Sequence, residues 1–181
     1  MRYVETVVLK GGAELLVRNA VASDARALRE TMRHTHSETD YLLSYPDEHG
    51  TDEEREARLL GETERSCNEV ELVAVVDGKI VGSAGVAAVG GRRKVAHRAR
   101  FGISVLKEQW GMGIGRVLMD ASIDCARQAG YTQLELDVVA DNEGAMSLYR
   151  RAGFKEYGRN PRGYRSASAG YQELVYMRLE L

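Results

Sequence analysis

The stretch from Phe101 to Phe154 limits what this chain can fold into more than any other. FGISV (101–105) is a short β-branched run, WGMGIG (110–115) a loop with glycines at alternate positions, and RVLMDASIDCARQAG (116–130) a helical segment. LELDVV (134–139) reads as a second strand, and DNEGAMSLYRRAGF (141–154) as a second helix with its glycine stop. Strand, helix and strand so close together describe a right-handed crossover between parallel strands. The first helix carries Leu118, Ala121, Ser122 and Cys125 on one side and ends at Gly130, a fitting residue just past a helix end. The second places Ala145, Leu148, Tyr149 and Ala152 on one face before Gly153.

A glycine loop that opens a helix has a physical use. The first N–H groups of a helix lack partners within it, and the helix dipole adds partial positive charge at that end. Glycine lets the backbone approach a phosphate closely, so residues 112–115 are the expected seat of a phosphate-bearing ligand.

The rest of the chain supplies the sheet. VETVVLK, Gly11-Gly12 and AELLVR read as a hairpin, as do ELVAVV (71–76), Asp77-Gly78 and KIVGSAGVAAV. Between them, Ser23 or Asp24 caps a helix whose apolar positions include Ala25, Leu28 and Met32. Thr51 with Glu54 suggests a capping box for another helix ending near Leu60-Gly61. Residues 90–94 form a basic loop, and His97, Arg98 and Arg100 lead into FGISV. At the far end come KEYGR (155–159), a loop holding Arg162, Gly163, Arg165 and Gly170, and a last strand LVYMRLEL. The pattern is α/β with a mixed sheet, and 181 residues suit one domain spanning the chain.

The net charge of −2 gives no general pull toward nucleic acid or membrane. Two cysteines, Cys67 and Cys125, form no disulfide framework, and no apolar run suits a signal peptide or a membrane span. The expectation is a cytoplasmic protein. Residues 38–71 hold twelve acidic side chains against three arginines, a net of −9, which reads first as a solvated helix face and second as an attraction for cationic amines. His34 and His36, with Glu38 and Asp40 nearby, are not fixed on one element in ligand geometry, so no metal is expected.

VLKEQWGMGIG followed by DNEGAMSLYRRAGF resembles the GNAT N-acetyltransferase superfamily, whose members move an acetyl group from acetyl-CoA to an amine. The first is similar to its pyrophosphate loop, the second to its Asn-x-x-Ala-x-x-Leu/Phe-Tyr-x-x-x-Gly-Phe helix. The resemblance implies a mixed, mostly antiparallel sheet of about seven strands with a central parallel pair, flanked by about four helices. It also implies acetyl-CoA as co-substrate and an amine acceptor, with exposed sheet edges that can pair two copies.

The family's roles carry over residue by residue. Gly111, Met112, Gly113, Ile114 and Gly115 would wrap the CoA pyrophosphate, with Arg116 adding charge. Ile103, Ser104 and Val105 would lie along the acyl-pantetheine arm, with Val105 offering its amide to the thioester oxygen. Asn142 would bond the pantetheine arm, Ala145 would line it, and Tyr149 would protonate the departing sulfur. Trp110 stands where the family usually has Arg or Gln, with Gln109 just before it. The usual glutamate of the central strand is replaced by Arg100, Gly102 and Ser104, so the base is open among Glu135, Asp137, His97 and a water chain. Arg92, Arg93 and Lys94 read as a surface loop, with the adenosine 3′-phosphate as their alternative partner.

Two rivals remain. A dinucleotide-binding oxidoreductase fails because Gly111-x-Gly113 is followed by Arg116 where the fingerprint needs a small residue. A CoA-binding module without catalysis keeps the same scaffold and is separated by turnover of amines.

Overall fold

The computed structural model describes residues 2–49 and 52–181. Eight strands form one sheet in the order β1-β2-β3-β4-β5-β6-β8-β7. They are β1 (Val4–Val8), β2 (Glu14–Asn19), β3 (Val70–Val76), β4 (Lys79–Ala88), β5 (Arg98–Val105), β6 (Gln133–Val139), β7 (Lys155–Ser166) and β8 (Gly170–Glu180). The helices are α1 (Ala25–Ser37), α2 (Glu53–Arg65), α3 (Ile114–Gln128) and α4 (Glu143–Arg151). Among the described residues only β5 and β6 run parallel. The sheet has eight strands rather than about seven, because both arms of the first hairpin join it and β1 forms an edge.

Local chemistry explains the elements that the sequence announces. Asp77 and Gly78 both take positive φ, +48° and +74°, the pair that a two-residue hairpin turn requires. Gly130 and Gly153, at φ +82° and +96°, end α3 and α4. Apart from Glu71, β3 is apolar on both faces because α3 packs on one side and α2 on the other. One core cluster gathers Leu118, Met119 and Cys125 of α3 and Met146 and Tyr149 of α4 against the sheet. A second joins Ala25 and Leu28 of α1 and Leu60 of α2 to Val73 and Ile80. Full burial of side chains such as Leu118 or Leu28 stabilises by about 1.5–3 kcal/mol each.

Several boundaries differ from the sequence reading. Asp24 precedes α1, but its carboxylate does not cap it. Instead it accepts from the Arg18 guanidinium at 2.6 and 2.9 Å and from Val21 N–H at 2.9 Å. Thr51 lies outside the described residues, and Asp52 caps α2 by accepting from Arg55 N–H at 2.9 Å. α2 runs through Leu60 and Gly61 to Arg65, since Gly61 is buried in the helix interior and does not end it. α3 begins at Ile114, two residues before Arg116.

The expected loop around Arg162, Gly163 and Arg165 is strand. β7 continues to Ser166 with register irregularities at Glu156/Gly158 and Asn160/Tyr164, which accommodate Pro161 on an edge strand. Gly163 is required there: a Cβ would stand 2.3 Å from Leu174 Cγ of β8.

Candidate active site

The site begins where the parallel pair stops. β5 and β6 pair only at Arg98/Gln133, Ala99/Leu134 and Arg100/Glu135. β5 nevertheless stays paired with β4 as far as Gly82/Val105. Beyond Arg100 the two central strands therefore separate while β5 stays anchored on its other side. Leu106 N–H donates to Val81 O and Val89 N–H to Arg98 O, so the even-numbered residues of β5 turn their backbone groups toward β4. Phe101, Ile103 and Val105 consequently turn theirs into the gap.

The glycine loop lies at the mouth of this gap. Gly111 and Gly113 take φ of +79° and +97°, which only glycine adopts without strain. The Arg116 and Val117 amides both turn back to Gly113 O, at 3.0 and 3.2 Å. Ile114 and Gly115, the first residues of α3, have no carbonyl a turn earlier to receive their N–H groups. A Cβ on Gly115 would meet Leu148 Cδ2 at 3.5 Å and Ile103 Cδ1 at 3.9 Å, so loop, β5 and α4 close around one space.

That space is a cavity of about 1250 Å³. Ile103, Ser104, Val105, Trp110, Gly111, Gly113, Ile114, Gly115, Arg116, Asn142, Ala145 and Tyr149 all line it. Met112 does not, because its side chain packs against the core. Arg116 reaches the rim, but its guanidinium holds Asp120 at 2.6 Å. Asn142 caps α4, its Oδ1 accepting from Ala145 N–H at 3.1 Å, which leaves the side-chain N–H groups as its remaining donors.

Trp110 has a use that the sequence did not disclose. Its indole N–H donates to Val105 O at 2.7 Å, bracing the end of β5 against the loop. The Val105 carbonyl is thereby occupied, leaving its amide directed into the gap. Gln109 also lines the cavity, and its buried Oε1 has no partner among the described residues.

Tyr149 is 7% exposed and packs edge-on against Phe101, with ring centroids 6.3 Å apart, and tilted against Phe154 at 5.9 Å. No group among the described residues hydrogen-bonds its hydroxyl. Burial, and then the Asp137 carboxylate, push its ionisation well above the ordinary range, so the phenol keeps its proton at neutral pH.

The candidate bases are separated by their surroundings. Arg98 grips Glu135 with two guanidinium N–H groups, one at 2.8 Å, and holds the carboxyl below its ordinary range. Glu135 is therefore a weak proton acceptor: both its oxygens are engaged by Arg98, its lowered pKa makes the carboxylate less basic, and it does not line the cavity. His97 lies exposed before β5. Asp137 lines the cavity 3.6 Å from Arg100. Arg92, Arg93 and Lys94 are exposed and outside the cavity lining.

The opposite wall comes from the acidic segment after α1. Thr39, Tyr41, Leu42 and Leu43 line the cavity, and Tyr164 of β7 joins them. Asp40 accepts from the hydroxyls of Ser166 and of Ser168, the latter at 2.7 Å, and its carbonyl accepts from Gln172 at 3.1 Å. Tyr45 Oη accepts from Ala167 N–H at 2.8 Å, and Glu38 from Lys107 N–H at 2.8 Å. These tertiary bonds fix the segment as a wall, which a purely solvated acidic face would not do. His36 packs edge-on against His49 at 4.1 Å, and no metal-binding group of three side chains occurs among the described residues.

A cleft made by parting two parallel strands, with amides unpaired among the described residues at one end and a protonated phenol along its side, has the shape and polarity that suit an enzyme of phosphate-bearing acyl carriers. Residues 29–154 match the profile of the acetyltransferase (GNAT) family. N-alpha-acetyltransferase 30 of Schizosaccharomyces pombe is 35% identical over 41% of this chain and 49% of its own, so the chain spans about half of that relative. Streptothricin acetyltransferase of Streptomyces lavendulae is 30% identical over 87% of this chain and 77% of its own. A GNAT-family acetyltransferase of Streptococcus pneumoniae superposes with a TM-score of 0.86 at 28% identity, covering 92% of this chain and 99% of that one. The chain belongs to the GNAT family of N-acetyltransferases, enzymes that use acetyl-CoA to acetylate an amine.

Proposed function

We propose that residues 1–181 form one catalytic domain that passes the acetyl group of acetyl-CoA directly to a primary amine, with no covalent enzyme intermediate. The diphosphate sits on the amides of residues 111–115, with Arg116 and Trp110 at the rim. The pantetheine arm runs along Ile103, Ser104 and Val105, meeting the Asn142 side chain and Ala145. The amide of Val105 faces the thioester oxygen and stabilises the charge that develops there. Tyr149 protonates the thiolate as the carbon–sulfur bond breaks. The acceptor enters between the wall after α1 and the β7–β8 turn.

One observation carries this reading: a buried, proton-bearing phenol that has no hydrogen-bond partner among the described residues lines the same cavity as the Ile114 and Gly115 amides, which are likewise unpaired among them. The test is release of CoA thiol with a panel of amines: amino acids, polyamines, aminoglycoside-type amines and peptide N-termini. Tyr149→Phe is expected to lower kcat by about 10²-fold while leaving acetyl-CoA affinity intact. Equal turnover of that variant from pH 6 to 9 removes Tyr149 from the chemistry. Pairing of two copies through an exposed sheet edge such as β1, where Val4 and Val8 are open to solvent, is checked by sedimentation.

A further inference from the structure

Glu71 of β3, Gly85 of β4 and Gly102 of β5 form one row across the sheet, each paired with the next. Paired residues share a face, here the face that carries α1 and α2. The Glu71 carboxylate lies over Gly85: a Cβ there would stand 2.6 Å from Glu71 Oε2. A Cβ on Gly102 would meet nothing within 4 Å. With strands about 4.8 Å apart, the carboxylate stands about one strand-width from the β5 backbone, and neither glycine puts a side chain between. Gly85 and Ala87 line the large cavity and also a second one of about 200 Å³, walled by Leu28, Met32, Glu56, Thr63 and Glu71.

We propose that Glu71 is the general base of the acetyl transfer, receiving the acceptor's proton through a water over Gly102 and passing it to the second cavity. The inference rests on the acetyl-transfer reading above and supplies the base that the central strand lacks. The acceptor ammonium loses one proton to the Glu71 carboxylate. The freed lone pair forms the carbon–nitrogen bond, and the carbon–sulfur bond breaks with its electron pair on sulfur. Tyr149 protonates that sulfur and recovers a proton from the nitrogen, so the net products are amide, CoA thiol and one proton.

The surroundings suit the task. Burial pushes the Glu71 carboxyl from its ordinary 4.5 up to about 7, with Glu56 raising it further and the Ser83 hydroxyl opposing. Such a group accepts a proton readily near neutral pH and releases it again. The charged groups facing it are Glu56 from α2 and Glu69 from the segment before β3. Arg18 of β2 is committed to Asp24, Arg100 of β5 stands near Asp137, and α1 brings Leu28 and Met32 to the second cavity, with Arg29 beside them on the helix.

The experiment follows CoA release by the full chain with acetyl-CoA and the most active amine of the panel, from pH 5.5 to 10. Glu71→Gln is expected to lower kcat by about 10²-fold or more at pH 7 and to abolish the rise in rate near that pH. The deficit should shrink as pH nears the amine's own pKa, about 10, with the acetyl-CoA KM unchanged. Gly85→Ala, whose methyl takes the place of the carboxylate, is a second and independent variant expected to show the same loss. An unchanged kcat and pH profile in Glu71→Gln overturns the assignment, as does a uniform loss at every pH. No turnover of any amine by the unaltered protein overturns acetyl transfer itself, and the base with it.

Discussion

Replacing Glu71 by glutamine should stabilise the fold while impairing the enzyme, and the size of the gain follows from the burial of the carboxyl. In the unfolded chain the group ionises near 4.5, and in the fold near 7. Between those values the folded state holds a proton that the unfolded state has released. Stability due to this group is therefore complete below pH 4.5 and is lost as pH rises through 7. At about 1.4 kcal/mol per pKa unit the loss is about 3.5 kcal/mol at most, and partial access of the side chain to solvent trims it to about 2 kcal/mol. Glutamine keeps the shape and cannot ionise. For a protein of this size each 1 kcal/mol shifts Tm by about 2–4 °C. The Tm of Glu71→Gln should exceed the wild type by roughly 5 °C at pH 8, with the gap nearly closed at pH 5. Paired scanning-calorimetry or dye-melting series on the two proteins read this directly. Melting curves that keep a constant separation from pH 5 to 8 would refute the claim that burial disfavours the ionised carboxylate.

Other perturbations test other joints of the structure. Trp110→Phe removes the indole donor to Val105 O, at a cost of about 1 kcal/mol, and should raise the acetyl-CoA KM several-fold with little change in kcat. Gly113→Ala forces a side chain into φ +97° and should cost roughly 1–2 kcal/mol, weakening acetyl-CoA binding about tenfold by calorimetric titration. Arg98→Ala strands the buried Glu135 carboxylate and should lower the denaturation midpoint at pH 7. Because Arg98 depresses the Glu135 pKa, that contribution is present above the ordinary carboxylate range and disappears as pH falls below it, so denaturation curves of the two proteins should converge in acid.

What the sequence disclosed was what local chemistry dictates. The Asp77-Gly78 turn, the glycine stops after α3 and α4, the crossover and the glycine loop that opens α3 each depend on a few neighbouring residues, and all stand where the pattern puts them. The reading failed where distant residues decide. Gly61 looks like a helix end and the stretch with Arg162, Gly163 and Arg165 like a loop, yet α2 and β7 run through them because tertiary packing and an edge position tolerate both. Glu135 looked like a free strand-face acid until Arg98 of the adjoining strand claimed it. Glu71 looked like the first residue of a hairpin strand, since nothing nearby in sequence reveals that Gly85 leaves room for its carboxylate. The Asp40 contacts with Ser166 and Ser168 span more than a hundred residues and have no local signature.

Those last contacts bear on how such an enzyme changes its choice of acceptor. Because Asp40 bolts the segment after α1 to the β7–β8 turn, the two sides of the entrance form a single frame. A substitution on either side is felt on the other, so selectivity shifts when both are varied in concert. Libraries that randomise one side alone will mostly sample damaged frames, whereas paired changes at positions 40, 166 and 168 reshape the doorway and keep it rigid.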